Sequence, residues 1–401
     1  MQVEIEKLVY GGDGLARADG RVILAPFVIP GEKVEVKPSR VQGSVDHSRV
    51  VEWIEKSPFR ETPACPVFGV CGGCHYQHIP YEKQLEYKRA ILMETIGRVG
   101  GIKWDGPVET VAGEPWGYRN RTQIRARKHN RRVEIGFFEA GSHRLVETPS
   151  CPINSPMLNR AHEALIAMSG ERRFPGFLNT VELFTNESDI QLNVLDTGQP
   201  LSKSFFAWCR EAIPGVAEAD AIDYPSGGDS FRVGSRSFFQ VNRFLTDALS
   251  QLAIGDAAGG TALDLYAGVG LFTLPLARRF ETVQGVDSSW AATRALQFNA
   301  ERAGVNVRVI NLGVERFLAD YPGSVDFAVA DPPRAGLGKK VTVELLRIRP
   351  AVLSLVSCDP ATLARDLQVL TAGGYGIEKI TLIDLFPQTF HLETVVRLRR
   401  A

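Results

Sequence analysis

Cys358 lies where a buried strand is expected to end and a helix to begin. In AVLSLVSCDPATLARDL the apolar strand ends at Ser357-Cys358, and Asp359 and Pro360 are typical of an N-cap and a first helical turn. A thiol beside a helix N-terminus ionises more readily than a free one. A small buried residue is the alternative, since free cysteines are often buried. The place at a strand end favours a nucleophile.

Methylation of uracil at C5 is one reaction that needs such a thiol. C5 becomes nucleophilic only after a thiolate adds to C6, and a base must later remove the C5 proton. The downstream segment FPQTFHLETVV offers His391 and Glu393 as candidate bases. Because Glu393 lies in an otherwise apolar run, it is either an exposed hairpin residue or a buried functional carboxylate.

A second group of residues indicates a nucleotide-like cofactor. DLYAGVGLFT joins an expected strand to the next helix, and Gly268 and Gly270 would let the backbone approach a ligand closely. Asp287, at the end of the next strand, could accept hydrogen bonds from ribose hydroxyls. The third glycine of a dinucleotide fingerprint is replaced by Thr273. A nicotinamide cofactor would nevertheless fit these residues about as well.

The segment Asp331-Pro332-Pro333-Arg334 favours a methyl donor over nicotinamide. The two prolines hold the chain extended at the end of a strand, so a rigid structural loop is the simpler interpretation. S-adenosylmethionine-dependent methyltransferases place an (Asn/Asp)-Pro-Pro group there, beside the methyl donor. An aromatic residue usually follows when amino groups are methylated. Here Arg334 follows, which argues against methylation of adenine N6.

Three of the six cysteines, Cys65, Cys71 and Cys74, lie in the short segment PACPVFGVCGGCHYQH. The N-terminus lacks the apolar core of a signal peptide, and no run approaches the ~18 apolar residues of a membrane span. We therefore expect a cytoplasmic protein, in which grouped cysteines are more often metal ligands or catalysts than disulfide partners. Cys209 has no partner in sequence and is expected in the core of a helix.

A basic strand is expected between Tyr118 and Arg132 although the net charge of the chain is zero. Alternation with Thr122, Ile124 and Ala126 would place the basic residues of this segment on one face. The alternatives are a solvated surface strand and a stripe that neutralises RNA phosphates. The candidate RNA-binding residues are Arg119, Arg121, Arg125, Arg127 and Lys128.

With 401 residues the chain is long enough for two or three domains. Residues 1–57 alternate with glycine turns as in a small antiparallel barrel, and residues 58–235 are mixed α/β. Residues 236–401 contain seven strand patterns, the first six separated by helices and the last two joined as a hairpin. This alternation predicts a doubly wound, mostly parallel sheet with its ligands at the C-terminal strand ends.

Together these motifs resemble the RNA uracil-C5 methyltransferases, in particular the branch with an iron–sulfur cluster. The resemblance spans nearly the whole chain and includes SFFQVN, DLYAGVG, DPPR, SCDPATLARDL and FPQTFHLETV. It implies an N-terminal OB-like TRAM barrel that binds RNA, a central domain with the cluster, and a C-terminal Rossmann-like class I methyltransferase domain. It also implies Cys358 as nucleophile, Glu393 as base, and S-adenosylmethionine contacts from Gln240, Tyr266, Gly268, Asp287 and Asp331.

The resemblance also implies a [4Fe-4S] cluster held by Cys65, Cys71, Cys74 and the more distant Cys151. A structural zinc ion could use the same thiols. The implied function is methylation of one uridine, in 23S ribosomal RNA, by a monomeric enzyme. Three alternatives remain: a transfer RNA substrate, a non-catalytic iron–sulfur RNA-binding protein, and an iron–sulfur redox enzyme with a nucleotide cofactor.

Overall fold

The computed structural model describes residues 1–130, 132–235 and 237–400. Arg131, part of the predicted basic strand, and Arg236, the first residue of the predicted C-terminal domain, lie outside the described residues, as does Ala401. No described helix has both the length and the apolarity that crossing a membrane would require.

The N-terminal segment forms a curled six-stranded sheet in the order β1-β5-β6-β4-β3-β2. Its interior is filled by small apolar side chains such as Ile5, Ala16 and Val34. The pairing is antiparallel except between β4 and β6, which run parallel because β6, and not β5, lies beside β4. The expectation of a purely antiparallel sheet was wrong at this pair. The strands are β1 (Gln2–Glu4), β2 (Lys7–Leu8), β3 (Asp13–Ala18), β4 (Arg21–Pro26), β5 (Lys33–Gln42) and β6 (Val45–Glu55).

The middle of the chain contains the predicted long helix and a five-stranded antiparallel sheet in the order β10-β9-β8-β11-β12. The glycines of SGGDS form the turn between β13 and β14, a separate hairpin. The elements are α1 (Tyr81–Gly100), β7 (Val108–Val111), β8 (Arg121–His129), β9 (Arg132–Phe138), β10 (Leu145–Glu147), α2 (Pro156–Ser169), β11 (Leu178–Thr185), β12 (Ile190–Thr197), α3 (Lys203–Ala212), β13 (Ala221–Ser226) and β14 (Asp229–Gly234). Cys209 on α3 is buried, as predicted.

All seven strands predicted near the C-terminus are present, and five helices lie between the first six. The elements are α4 (Thr246–Ile254), β15 (Gly259–Leu265), α5 (Thr273–Leu276), β16 (Phe280–Asp287), α6 (Trp290–Ala303), β17 (Arg308–Asn311), α7 (Val314–Ala319), β18 (Phe327–Ala330), α8 (Gly338–Ile348), β19 (Val352–Ser357), α9 (Pro360–Ala372), β20 (Tyr375–Ile383) and β21 (Thr394–Arg400).

The C-terminal sheet has eight strands and not the expected seven, in the order β17-β16-β15-β18-β19-β21-β20-β7. The additional strand, β7, comes from the middle of the chain and pairs in parallel with β20. Such a short, half-exposed strand has no pattern of its own, and it is stabilised by pairing with β20 and by packing of Val108 and Val111 on the apolar cores. β21 runs antiparallel, as the predicted hairpin requires.

The largest apolar core joins α1 to the C-terminal sheet. Leu92 and Ile96 of α1 pack in one cluster with Leu363 and Leu367 of α9. Leu8 of the N-terminal sheet lies in the same cluster. The three segments of the chain therefore share a core at the helix that begins just after Cys358.

A buried ion pair also links α1 to the β20–β21 connection. Nζ of Lys88 donates to Oδ1 of Asp384 at 2.7 Å and to the carbonyl oxygen of Phe386 at 3.0 Å. Both charged side chains are almost fully buried, at 0% and 1% exposed. Burial lowers the pKa of Lys88 while Asp384 opposes the change. Removing one partner would leave an uncompensated buried charge.

We expect Lys88→Met to lower the free energy of unfolding by roughly 3–5 kcal/mol. Lys88→Met combined with Asp384→Leu should recover most of that loss because no charge is then left buried. Lys83→Met provides a control on the same helix: its pair with Glu86 is exposed and should cost under about 1 kcal/mol. Urea denaturation measures all three variants. Equal losses for Lys83→Met and Lys88→Met would contradict the role given to the pair.

Candidate active site

Strand pairing brings three of the predicted site residues to one edge of the C-terminal sheet. Ser357 pairs with Thr394, which places Cys358 and Glu393 at the same level. β18 lies on the other side of β19, and Asp331 follows its last residue. Cys358 is half-buried and Glu393 is 5% exposed. The edge thus combines a thiol with two carboxyl groups, and Glu393 is a buried carboxylate and not an exposed hairpin residue.

Burial dominates the electrostatics of this edge. It raises the pKa of Asp331 to about 7, while a hydrogen bond from Nε2 of Gln240 to Oδ2 of Asp331 at 3.2 Å opposes the rise. Burial, and then the charge of Asp331, raises the pKa of Glu393 well above its usual value. The two carboxyl groups therefore resist being ionised together.

The Cys358 thiol is affected by the same burial and the same carboxyl groups. Burial raises the pKa of Cys358 to about 12, and the charges of Glu393 and Asp331 add to the rise. Arg334 acts in the opposite direction. Asp359 forms the predicted N-cap, with its side chain accepting from the N–H groups of Ala361 and Thr362 at 3.0 Å each. Burial first, and the neighbouring carboxyl groups second, therefore favour the neutral thiol.

The two candidate bases differ in basicity. Burial and the Arg334 guanidinium lower the pKa of His391 to about 3. The guanidinium nitrogen lies 3.0 Å from Nδ1 of the imidazole. A ring that faces a cation binds a proton weakly, whereas the carboxylate of Glu393 binds one strongly. Of the two, Glu393 is the better proton acceptor.

The glycine loop after β15 forms the adjoining part of the site. Gly268 has a φ of +54°, and a Cβ there would point into open space. Its N–H donates to Oδ2 of Asp287 at 2.9 Å, and the N–H of Ser289 donates to Oδ1 at 2.7 Å. Tyr266 also has a positive φ, +65°. The loop is thus held in an open conformation whose backbone could approach a ligand with hydroxyl groups.

Asp264 is a candidate site residue that sequence reasoning missed. It is fully buried within β15, and Oδ1 has no hydrogen-bond partner among the described residues. Burial raises its pKa to about 7, while Thr273 opposes the rise and Asp331 and Asp287 add to it. An unpaired buried carboxylate oxygen next to the glycine loop is suited to a polar ligand group. Its position at the start of DLYAGVG is the sequence feature that could have identified it.

The four predicted metal-ligating cysteines line one cavity of about 440 Å³ between the loop before α1 and the central sheet. The N–H of Gly72 donates to the carbonyl oxygen of Phe138 at 3.0 Å, which ties the loop to β9. The fourth thiol is tied through its backbone: the N–H of Cys151 donates to Asn159 at 3.0 Å. Burial raises the pKa of Cys151 to about 11 and that of Cys74 to about 12.

Within residues 1–130, 132–235 and 237–400, no three His, Cys, Asp or Glu side chains are arranged so that they could hold one metal ion. The cavity is many times the volume of a water molecule, about 30 Å³. Phe68, Phe137 and Phe238 contribute apolar walls. Four thiols therefore line the cavity, but they do not converge on a single point as the ligands of one metal ion would.

The predicted basic strand exists as β8, and the alternation is as expected: Thr122, Ile124 and Ala126 are buried. The basic side chains have different environments, however. Arg121 pairs with Glu182 at 3.3 Å and lies over the ring of Phe184.

Arg119 and Arg121 line the cysteine cavity. Arg125 donates to Thr180, whereas Arg127 and Lys128 are exposed at the end of β8. Only the distal part of the stripe is therefore an open basic surface.

The chain is similar to known proteins over its whole length. A family model for tRNA (Uracil-5-)-methyltransferase matches residues 229–401. An uncharacterized RNA methyltransferase of Halalkalibacterium halodurans is 31% identical, over 99% of this chain and 96% of that protein. The 23S rRNA (uracil(1939)-C(5))-methyltransferase of Alkalilimnicola ehrlichii is 32% identical, over 100% and 96%.

A solved structure has the same architecture. The tRNA (uracil-54, C5)-methyltransferase of Pyrococcus abyssi, in complex with S-adenosyl-L-homocysteine, superimposes with a TM-score of 0.73. The two chains are 26% identical, and the match covers 99% of this chain and 100% of the other.

The raised pKa of Glu393 gives stability a pH dependence. A protonated Glu393 contributes fully below the carboxyl pKa of the unfolded chain, about 4.3, and this contribution is lost as pH rises. Glu393→Gln removes the ionisable group. The variant should therefore gain stability over the wild type as pH rises above about 4.3, by up to about 1.4 kcal/mol per pH unit.

Urea denaturation at several pH values measures this difference. Glu315→Gln is the control, because that carboxylate is 58% exposed and its removal should give no growing difference. A difference for Glu393→Gln that stays constant with pH would contradict the raised pKa.

Proposed function

Because the chain belongs to the RNA uracil-5-methyltransferase family, we propose that it methylates C5 of a uridine in 23S ribosomal RNA through a covalent bond between Cys358 and C6. The observation that supports this most strongly is the placement of a thiol and a buried carboxylate at one edge of the sheet. Pairing of Ser357 with Thr394 brings the two adjoining residues, Cys358 and Glu393, to the same level of the sheet.

The chain's own residues account for the steps on the pyrimidine ring. The Cys358 thiolate adds to C6, and the electrons of the C5–C6 double bond move towards O4. When bound, S-adenosylmethionine supplies the electrophilic methyl group that C5 accepts. Glu393 then takes the C5 proton, the double bond re-forms, and the thiolate leaves C6. The raised pKa of Glu393 makes its ionised form a stronger base than an exposed carboxylate, and a cationic sulfonium nearby would favour that ionised form.

The cofactor contacts follow from the open glycine loop. We propose that Asp287 binds the ribose hydroxyls and that the backbone at Gly268 lies against the ligand. Gln240 and Asp331, already hydrogen-bonded to each other, would line the methyl-transfer side together with Tyr266. The unpaired oxygen of Asp264 would accept a donor from the bound cofactor. A cationic sulfonium here would offset the two carboxylates and help the Cys358 thiol to ionise.

We also propose a [4Fe-4S] cluster bound by Cys65, Cys71, Cys74 and Cys151. Four thiols around one cavity fit the ligand preference of such a cluster, and a cavity of this size suits a cluster better than a single zinc ion. The cluster would join the loop before α1 to the central sheet. Because methyl transfer involves no net oxidation or reduction, its role would be structural.

RNA would contact two surfaces of the chain. The N-terminal sheet, interpreted as an OB-like TRAM barrel, and the exposed residues Arg127 and Lys128 would bind the nucleotides around the target through phosphates and stacking. The target uridine must leave its stack for C6 to reach Cys358. Ribosomal RNA is proposed because the resemblance associates the cysteine set with that substrate. Transfer RNA is the second candidate, favoured by the structural relative.

Nucleoside mass spectrometry tests the reaction and its substrate together. Unmodified ribosomal and transfer RNA are incubated with anaerobically purified protein and S-adenosylmethionine, and we expect 5-methyluridine in the ribosomal pool. Cys358→Ala should bind RNA but give no product or adduct, whereas Glu393→Gln should accumulate the adduct. Cys209→Ala, a change at a buried thiol far along the chain from the site, is the control.

Other results would change the proposal in defined ways. Product only in transfer RNA would replace the substrate. No product from wild-type protein with its cluster intact would favour the non-catalytic RNA-binding alternative. Normal turnover by Glu393→Gln would exclude Glu393 as the base.

The cluster assignment has its own test. Protein purified without oxygen should contain iron and sulfide and absorb broadly in the visible range. Cys151→Ser should lose most of the iron, since a cluster lacking one of four thiolates is weakly held, while Cys209→Ser should retain it. Zinc in place of iron would identify the alternative ion, and equal metal content in the two variants would contradict the assignment of Cys151.

A further inference from the structure

A residue of the N-terminal sheet reaches the turn that contains Cys358. Tyr10 lies in the loop between β2 and β3, and its hydroxyl donates to the carbonyl oxygen of Cys358 at 3.2 Å. The two residues are 348 positions apart in sequence. The contact is therefore created by the docking of the N-terminal sheet and not by local chain geometry.

The carbonyl of Cys358 takes part neither in the strand pairing of β19 with β21 nor in the backbone hydrogen bonds of α9. The last strand pair of β19 with β21 is Ser357 with Thr394. The backbone bonds of α9 begin with the carbonyl of Asp359, which accepts from the N–H of Leu363 at 3.0 Å. Cys358 lies between these regular regions, so the Tyr10 hydroxyl is the side-chain contact that orients its peptide plane. The direction of the thiol depends on that plane.

Tyr10 is itself held firmly. Its ring packs edge-on against Phe390, with ring centroids 5.5 Å apart. Phe390 in turn lies 4.6 Å from the ring of His75. The loop is closed by a hydrogen bond from the N–H of Val9 to the carbonyl of Asp13 at 2.9 Å. Aromatic packing on one side and a closed turn on the other fix the position of the hydroxyl.

The N-terminal sheet packs against the rest of the protein through a shared apolar core. Leu8 and Ile29 are 4% and 1% exposed in the core that also contains Leu363 of α9. Lys7 pairs with Glu94 of α1 at 2.6 Å. A surface buried in a common core cannot swing with bound RNA without exposing apolar side chains. The sheet is therefore able to position a group in the active site.

We propose that Tyr10 is a positioning residue that aligns Cys358 for addition to C6, so that the N-terminal sheet contributes to the rate of the reaction as well as to RNA binding. This inference rests on the proposed role of Cys358 as nucleophile. Tyr10 acts through the backbone of Cys358 and makes no bond to the reacting atoms.

Tyr10→Phe tests the proposal, because it removes the hydroxyl and keeps the ring against Phe390. The matched control is Tyr375→Phe, whose hydroxyl also donates to a backbone carbonyl, that of Pro350 at 2.7 Å. With RNA that contains 5-fluorouridine, the base finds no proton on C5 and the adduct persists. Tyr10→Phe should form this adduct about five- to tenfold more slowly in a single turnover, as expected for one hydrogen bond. Its RNA dissociation constant should be unchanged, and Tyr375→Phe should match the wild type in both.

Alkylation of Cys358 by iodoacetamide separates alignment from loosened structure. A small reagent does not need an oriented thiol, so Tyr10→Phe should be alkylated at the wild-type rate across pH. Faster alkylation would mean local loosening and would overturn the proposal, as would an unchanged adduct rate or a loss confined to RNA affinity. If the wild type forms no adduct, or if Cys358→Ala forms one, the proposed function itself fails and the inference fails with it.

Discussion

The connection between β20 and β21 depends on the buried pair of Lys88 and Asp384. The segment from Asp384 to Glu393 is irregular, and its backbone has to be satisfied from elsewhere. The N–H groups of His75 and Tyr76 both donate to the carbonyl of Gln388, at 2.8 and 3.0 Å. Gln388 has a φ of +67°, a conformation that persists only when its surroundings enforce it. α1 and the cysteine loop together impose that shape.

This arrangement relates the cysteine cavity to the chemistry. His75 directly follows Cys74, so the loop that would hold a cluster also fixes the segment that leads to Glu393. Tyr118 adds a third anchor, since its hydroxyl donates to the carbonyl of Pro387 at 3.1 Å. A group that fixes the cysteine loop would therefore influence the position of Glu393, the proposed base, without taking part in the reaction.

The buried carboxyl groups of the candidate active site lower the stability of the fold. Asp264, Asp331 and Glu393 are carboxyl groups whose pKa values burial raises, and each would be easier to ionise in water. Hydrophobic packing around them has to offset that cost. The same burial makes Glu393 basic and keeps the resting Cys358 thiol neutral, so the features that weaken the fold are those that the proposed reaction uses.

The sequence by itself determined the local elements and named the candidate site residues. The 3.6-residue period defined α1, the alternation of strands and helices predicted the seven C-terminal strands, and Asp359 with Pro360 marked the start of α9. Each of these patterns lies within one continuous segment of the chain, so the sequence alone is enough to recognise it. Tertiary structure alone decided that β7 extends the C-terminal sheet, that Arg121 is paired with Glu182, and that Tyr10 contacts Cys358. These outcomes depend on distant segments packing together, and no periodicity within a segment records which distant partner it will meet.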